Sequence, residues 1–205
     1  MSDSVTEHIP PQEEGEKVDI AEHVNARTED AAKNLFRAAR NRLLDISHWK
    51  DFSRGLSADF RLTDEYGKLK EGPPKTGDHF RIDIPGPGAL AGKGFDWVKV
   101  EKVEDSNDRH ADAEELMITV RPTADPTGEQ GTAHFLQQHA TSSFVIKRIG
   151  TTVSAEVHGR NEKPNKDAAT LTDKLRNAIV GTAAMIGLSK VQWKHLTKGL
   201  LHPSG

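Results

Sequence analysis

The stretch Ser142–Val157, "SSFVIKRIGTTVSAEV", decides the fold. Phe144 and Ile146 alternate with neighbours on one side of Gly150-Thr151, and Val153, Ala155 and Val157 alternate on the other. A period of two marks a strand with one buried face. Two such runs separated by two residues, Gly first, make a hairpin, because Gly reaches the backbone conformation a tight turn demands. The two runs are therefore antiparallel neighbours. Just upstream, "TAHFLQQHATSSFVIKRIG" reads either as one long strand or as a hairpin turning near Thr141–Ser143, and both readings of residues 131–149 stay open.

The same period extends far upstream. Leu56, Ala58, Phe60 and Leu62 alternate, as do Phe80, Ile82 and Ile84, and then Leu116, Ile118 and Val120. In "FDWVKVEKV" the apolar parity slips between Val100 and Val103, as a bulge would make it. Turn-forming segments separate these runs: "EYGKLKEGPPKTGD", "PGPGALAGKG", "EDSNDRHADAE" and "TADPTGEQG". Strands joined by turns without intervening helices imply an antiparallel meander, one face of which needs a cover. Two helices supply it. Thr28 followed by Glu29 and Asp30 is an N-cap with acids in the first turn, and Ala32, Leu35, Phe36, Ala39, Leu43 and Ile46 then recur at helical spacing. Near the C-terminus Leu171, Leu175, Ala178, Ile179, Thr182, Ala183 and Ile186 form a broad stripe. Gly187 stops that helix, and Ser189 with Gln192 reads as a capping box that restarts it. Before all of this, "KVDIAEHV" places Val18, Ile20 and Val24 on one parity, a short strand interrupted at Glu22. The fold class is α+β: a curved antiparallel sheet of about six to seven strands packed on a long C-terminal helix, with an N-terminal amphipathic helix.

With 205 residues the chain can bury roughly 70% of its unfolded surface, so a full core is within reach. Hydrophobic residues make up 35% and charged residues 29%, a polar balance that suggests part of the chain stays outside the core. Charge locates that part. Residues 1–30 carry nine acids against Lys17 and Arg27, whereas the whole chain sums to -3, so the body is mildly basic. Residues 1–16, with adjacent prolines in "IPPQEEGE", read as a disordered acidic leader, and residues 17–205 as a single α+β domain. With no cysteine, disulfides, thiolate metal sites and Cys nucleophiles are excluded. No apolar run is long enough for a signal peptide core or a membrane span, which points to a cytoplasmic protein.

Several motifs fail on inspection. "PGPGALAGKG" lacks the first Gly and the Ser/Thr of a phosphate loop, and reads as a hairpin loop. His134 and His139 are five apart, on opposite faces of one strand, so no metal or other cofactor is expected from them. "AAMIGLSKVQWKHLTKGLL" has offsets reminiscent of a helix-turn-helix, and Lys190, Lys194 and Lys198 give it a basic face. Trp193 stands where a β-branched core residue belongs, however, so a capped C-terminal helix is the simpler reading and nucleic acid is an unfavoured partner.

The element order, with Trp49 in "HWKDF" after the first helix, resembles the helix-grip fold of the START-like superfamily, which includes the polyketide-cyclase-like proteins. The resemblance implies a sheet that wraps the last helix around a cavity for an apolar ligand. Small residues at Ala178, Thr182, Ala183 and Ala184 independently leave space there, and such clefts are usual small-molecule sites. The expected function is binding of a hydrophobic or amphipathic small molecule between sheet and helix. Expected contacts are Trp97, His134, Phe144, Ile179 and Ala183, with Arg160, Asn161 and Glu162 at the mouth. An enzyme of cyclase or hydrolase type would pair His134 or His158 with Glu162, although His158 has the parity of the opposite face. An interaction module using the basic C-terminal helix is the third class. The segment "EVHGRNEKPNKD", Glu156–Asp167, is expected to be a strand-to-helix crossover in which Arg160 and Glu162 pair with each other or with the sheet rim and Gly159 allows a turn or bulge.

Overall fold

The computed structural model describes residues 4–54, 58–83, 95–106, 112–128, 139–163 and 190–202. Strand β1 (Glu16–Asn25) leads into α1 (Glu29–Leu44), a single 3-10 turn (Ile46–His48) and α2 (Trp49–Phe52). Strands β2 (Asp59–Thr63), β3 (His79–Asp83), β4 (Phe95–Ser106), β5 (Ala113–Pro122), β6 (Thr141–Ile149) and β7 (Thr152–Glu162) follow. A helix over 190–201, here α3, comes last among the described elements. The expected helix over 168–188, with Ile179 and Ala183, lies outside the described residues, as do His134 and the glycine-rich loop 85–94.

All seven strands form one open curved sheet, ordered β1-β7-β6-β5-β4-β3-β2, with every neighbouring pair antiparallel. Strands β2 to β7 are a meander, each paired with the next. β1 instead pairs with β7 at the opposite edge from β2, so the chain between β1 and β2 must cross the whole sheet. It crosses as α1 and α2, which pack on one face, hereafter the inner face. This is the helix-grip arrangement expected from the sequence. Thr28 caps α1 as read, its Oγ1 accepting from the Ala31 amide at 3.2 Å. The β6–β7 hairpin turns on Gly150 and Thr151, with Gly150 at φ 56° and Ile149 paired to Thr152. The parity slip in β4 is a register shift between Val100 and Lys102 against β5.

The core sits between the inner face and the helices. Trp49, the "HWKDF" tryptophan, is its hub. It is fully buried, donates Nε1–H to the Leu43 carbonyl at 3.1 Å, and holds Phe60, Phe80 and Phe144 at ring-centroid distances of 5.1, 5.9 and 5.0 Å. Trp193 of α3 closes the cluster, 5.3 Å from Phe144 and 6.1 Å from Phe60. Each such pair adds about 0.5–1.5 kcal/mol beyond the area it buries. The same helix buries Leu196, Leu200 and Leu201, and Arg42 of α1 donates to the Leu200 carbonyl at its C-terminal end. Gln192 accepts from the Ala58 amide at 3.2 Å and ties α3 to the start of β2; Ser189, its expected partner in a capping box, lies outside the described residues. At the hairpin end of the sheet, Arg148 and Glu114 form an ion pair at 2.5 Å with side chains 1% and 2% exposed.

Two stretches differ from their sequence reading. Residues 4–15, read as a leader outside the fold, lie against the outer face of the sheet. Val5 is buried on Met117 and Val145 with Ile9 beside it, and Glu115 accepts from the Val5 amide at 2.6 Å and the Ser4 hydroxyl at 2.7 Å. Composition sees only the surplus of acids; it does not see that the sheet offers partners for so few apolar residues. Similarly, "HGRNE" is no crossover, because β7 runs to Glu162.

Candidate functional site

Strand alternation sorts the last residues of β7. Val157 and Gly159 face inward, and His158 and Arg160 face outward. Alternation then breaks. Asn161 adopts φ 57°, and between Gly159 and Glu162 three steps on β7 oppose two on β1, from Val18 to Glu16. This is a β-bulge, with Asn in the left-handed conformation it tolerates better than most residues. It is held by the N-terminal segment: Asn161 Oδ1 accepts from the amides of Glu13 and Glu14 at 2.8 and 3.1 Å. Its Nδ2 donates to the Pro11 carbonyl at 3.1 Å, and its amide donates to Gln12 at 3.0 Å.

The bulge turns Glu162 to the inner face. Its carboxyl lies over Gly159, so close that a Cβ there would meet Glu162 Oε1 at 2.2 Å and Val18 Cβ at 3.1 Å. Gly159 is thus needed for the space it leaves, not for a turn. Strand register aligns Val18, Gly159, Ser142 and Val120 in one row across four strands. Two small residues between two buried valines make a depression in an apolar face, and one acid occupies it. Glu162 is 3% exposed, and among the described residues its carboxyl accepts no hydrogen bond. Burial, seconded by the neighbouring Glu16 carboxylate and opposed by Lys190 and Arg160, pushes its pKa up to about 7. Lys190, on the first turn of α3, is itself held by Glu16 at 3.1 Å. A carboxyl of this kind is a neutral hydrogen-bond donor at one pH and an anion at another, both near neutrality.

A polar network lies across the sheet, on the outer face. His158 Nδ1 is 2.6 Å from Asp19 Oδ1 and its Nε2 is 2.9 Å from Glu156 Oε2. The imidazolium is the form that satisfies both carboxylates. Burial opposes that charge, but the bonds to Glu156 and Asp19 outweigh it and raise the His158 pKa. Arg160 joins the same network, binding Asp19 at 2.7 Å and the Val18 and Gly159 carbonyls at 3.1 and 2.8 Å. Its expected pairing with Glu162 does not form, because the bulge separates the two onto opposite faces. For the same reason His158 and Glu162 form no acid/base pair. A cleft of about 320 Å³, lined by Pro10, Pro11, Glu13, Glu14, Arg121, His139, Thr141 and Asn161, runs between the N-terminal segment and this outer face.

The remaining expected contacts separate as well. Phe144 is inner but packed inside the Trp49–Trp193 cluster. Trp97 is on the outer face, in register with Arg81 and close to Gly67, because its parity is opposite to that of Val98 and Val100. Of the three residues expected at the mouth, Asn161 holds the N-terminal segment, Arg160 joins the outer network, and Glu162 reaches the inner face. Sequence reading missed Val18, Ser142 and Gly159 as its surroundings. The pairing of a strand Gly with a Ser across the hairpin was the available signal.

No protein-family model matches the chain, and no curated protein matches it. Solved structures do. The Zhui aromatase/cyclase from Streptomyces sp. R1128 is 11% identical, with a TM-score of 0.41 over 90% of this chain and 93% of its own. A point mutant of norcoclaurine synthase from Thalictrum flavum, bound to a transition-state analogue, is 9% identical at 0.37 over 88% and 95%. An uncharacterized protein from Bacillus thuringiensis is 10% identical at 0.38 over 91% and 99%. At these identities no residue role or activity of those proteins transfers to this chain.

Proposed function

We propose that this chain binds a hydrophobic or amphipathic small molecule on the inner face of its sheet, between the sheet and the C-terminal helix, at the end where Glu162 lies. The observation that carries this reading is the Glu162 carboxyl, 3% exposed and without a hydrogen bond among the described residues, set in an apolar row over Gly159. A carboxyl whose pKa burial raises to about 7 is disfavoured as an anion where it lies, and a ligand that hydrogen-bonds to it there would offset that cost. Ligand sites have this composition: mostly apolar walls and a few placed polar groups. The other end of the inner face is filled by Trp49, Phe60, Phe80, Phe144 and Trp193, which directs the ligand toward Glu162.

One form of the catalytic alternative loses its base, because His158 and Glu162 fall on opposite faces; the form that uses His134 lies outside the described residues. Native mass spectrometry of freshly purified protein tests the proposal, alongside a Gly159→Leu variant whose side chain would displace the Glu162 carboxyl from the row and cover the site. An adduct on the wild type that is absent from the folded variant is the expected result. An adduct retained unchanged by the variant would place the ligand elsewhere and overturn the reading.

A further inference from the structure

The charge of the ligand's head group follows from what surrounds Glu162. We propose that the inner face selects a cationic amphipath, a protonated aliphatic amine on an apolar body, with Glu162 as its counterion. This rests on the reading of the inner face as a ligand site and specifies which ligands enter it.

Three observations support it. The Glu162 carboxyl accepts no hydrogen bond among the described residues, and in its ionised form, which has acceptors only, the partner it calls for is a donor. The nearest opposing strand position brings a second acid, since Glu16 pairs with Glu162 across β1 and β7. The basic groups that bear on Glu162 are engaged with other acids, Lys190 with Glu16 at 3.1 Å and Arg160 with Asp19 at 2.7 Å on the far face. Among the described residues, the surroundings of Glu162 therefore carry one negative charge more than they balance once Glu162 ionises. An ammonium group supplies that balance and donates the missing hydrogen bonds. A carboxylate head, as in a fatty acid, would add a third acid beside Glu16 and Glu162 and is rejected. Val18 and Val120, at the two ends of the row in which the carboxyl sits, give an apolar surface beside it for a chain or ring. When the empty site holds a protonated Glu162, an incoming ammonium displaces that proton to solvent; when Glu162 is already ionised, no proton is released.

Matched fluorescent probes test the assignment. Dansylcadaverine ends in an ammonium, dansyl-6-aminohexanoate in a carboxylate, and dansylbutylamide in a methyl group, on the same dansyl body. Each is titrated into the full chain near pH 7.5, with blue-shifted emission reporting entry to an apolar site. The expected result is ammonium binding at least ten-fold tighter than carboxylate, with the preference lost in Glu162→Gln while the methyl probe binds both proteins alike. Equal binding of all three probes, or tighter binding of the carboxylate, would overturn the charge assignment and leave the cavity reading intact. If none of the three binds, both readings fall. The wild-type comparison decides the matter even if the variant does not fold.

Discussion

Replacing Glu162 by Gln isolates the buried acid, because Gln keeps the shape and cannot ionise. In the folded protein the Glu162 carboxyl titrates near 7 against an ordinary 4.5. A carboxyl raised in this way makes the folded state bind its proton more tightly than the unfolded chain. Stability is then full below about 4.5 and declines as pH rises toward about 7. At 1.36 kcal/mol per pH unit, the interval is worth about 3 kcal/mol of wild-type stability. Urea unfolding of ligand-free wild type and variant measures it directly. Glu162→Gln should match wild type within a few tenths of a kcal/mol near pH 4.5 and exceed it by about 3 kcal/mol near pH 8. In thermal midpoint the gain near pH 8 is roughly 6–12 °C for a chain of this size. Glu16, Lys190 and Arg160, which bear on Glu162, are present in both proteins. So is His158, whose raised pKa also makes stability fall as pH rises through its folded value. Subtracting the two curves leaves the Glu162 contribution. A difference independent of pH, or a wild type more stable than the variant near pH 8, would refute the placement of the carboxyl over Gly159.

Gly159→Ala should push that carboxyl outward, because the new Cβ would stand 2.2 Å from Oε1; the variant should lose about 1–3 kcal/mol near pH 4.5 and show a flatter stability–pH curve than wild type. Breaking the buried ion pair by Arg148→Ala should cost about 3–5 kcal/mol by urea unfolding, and the joint replacement Arg148→Met with Glu114→Leu should recover most of it. Asn161→Gly keeps the left-handed backbone but removes three hydrogen bonds to residues 11–14, so amide exchange of residues 4–15 should accelerate while that of β5 and β6 is unchanged. Unaltered exchange in the N-terminal segment would show that Asn161 does not hold it.

Regular repetition is what made the fold legible. The alternations through Phe144–Ile146 and Val153–Val157 fixed the hairpin, the Val100–Val103 slip located the bulge in β4, and Thr28 located the start of α1. Each of these is a local pattern enforced by one buried face. The site was legible only in part, because it depends on a departure from pattern. Counting by two puts Glu162 beside Arg160, and the single left-handed residue Asn161 reverses that. Asn161 is held there by residues 11–14, far away in sequence, and periodicity carries no trace of such a contact. Trp97 was misplaced for a simpler reason. Its size suggested a pocket wall, but its parity against Val98 and Val100 places it on the outer face under the turn at Gly67. Burial of the leader depends likewise on Glu115 and Lys147, which make one site for the Ser4 hydroxyl, and neither acid nor lysine looks like a docking point in a linear reading.

Methyl-labelled NMR of the full chain, titrated with dansylcadaverine, tests the central claim most directly. The account predicts shift changes at Val18, Val120 and Val157, which line the inner face near Glu162, and none at Met117 and Val145, which lie beneath the N-terminal segment on the outer face. Changes confined to Met117 and Val145, or no change at any of these methyls at saturating probe, would contradict it.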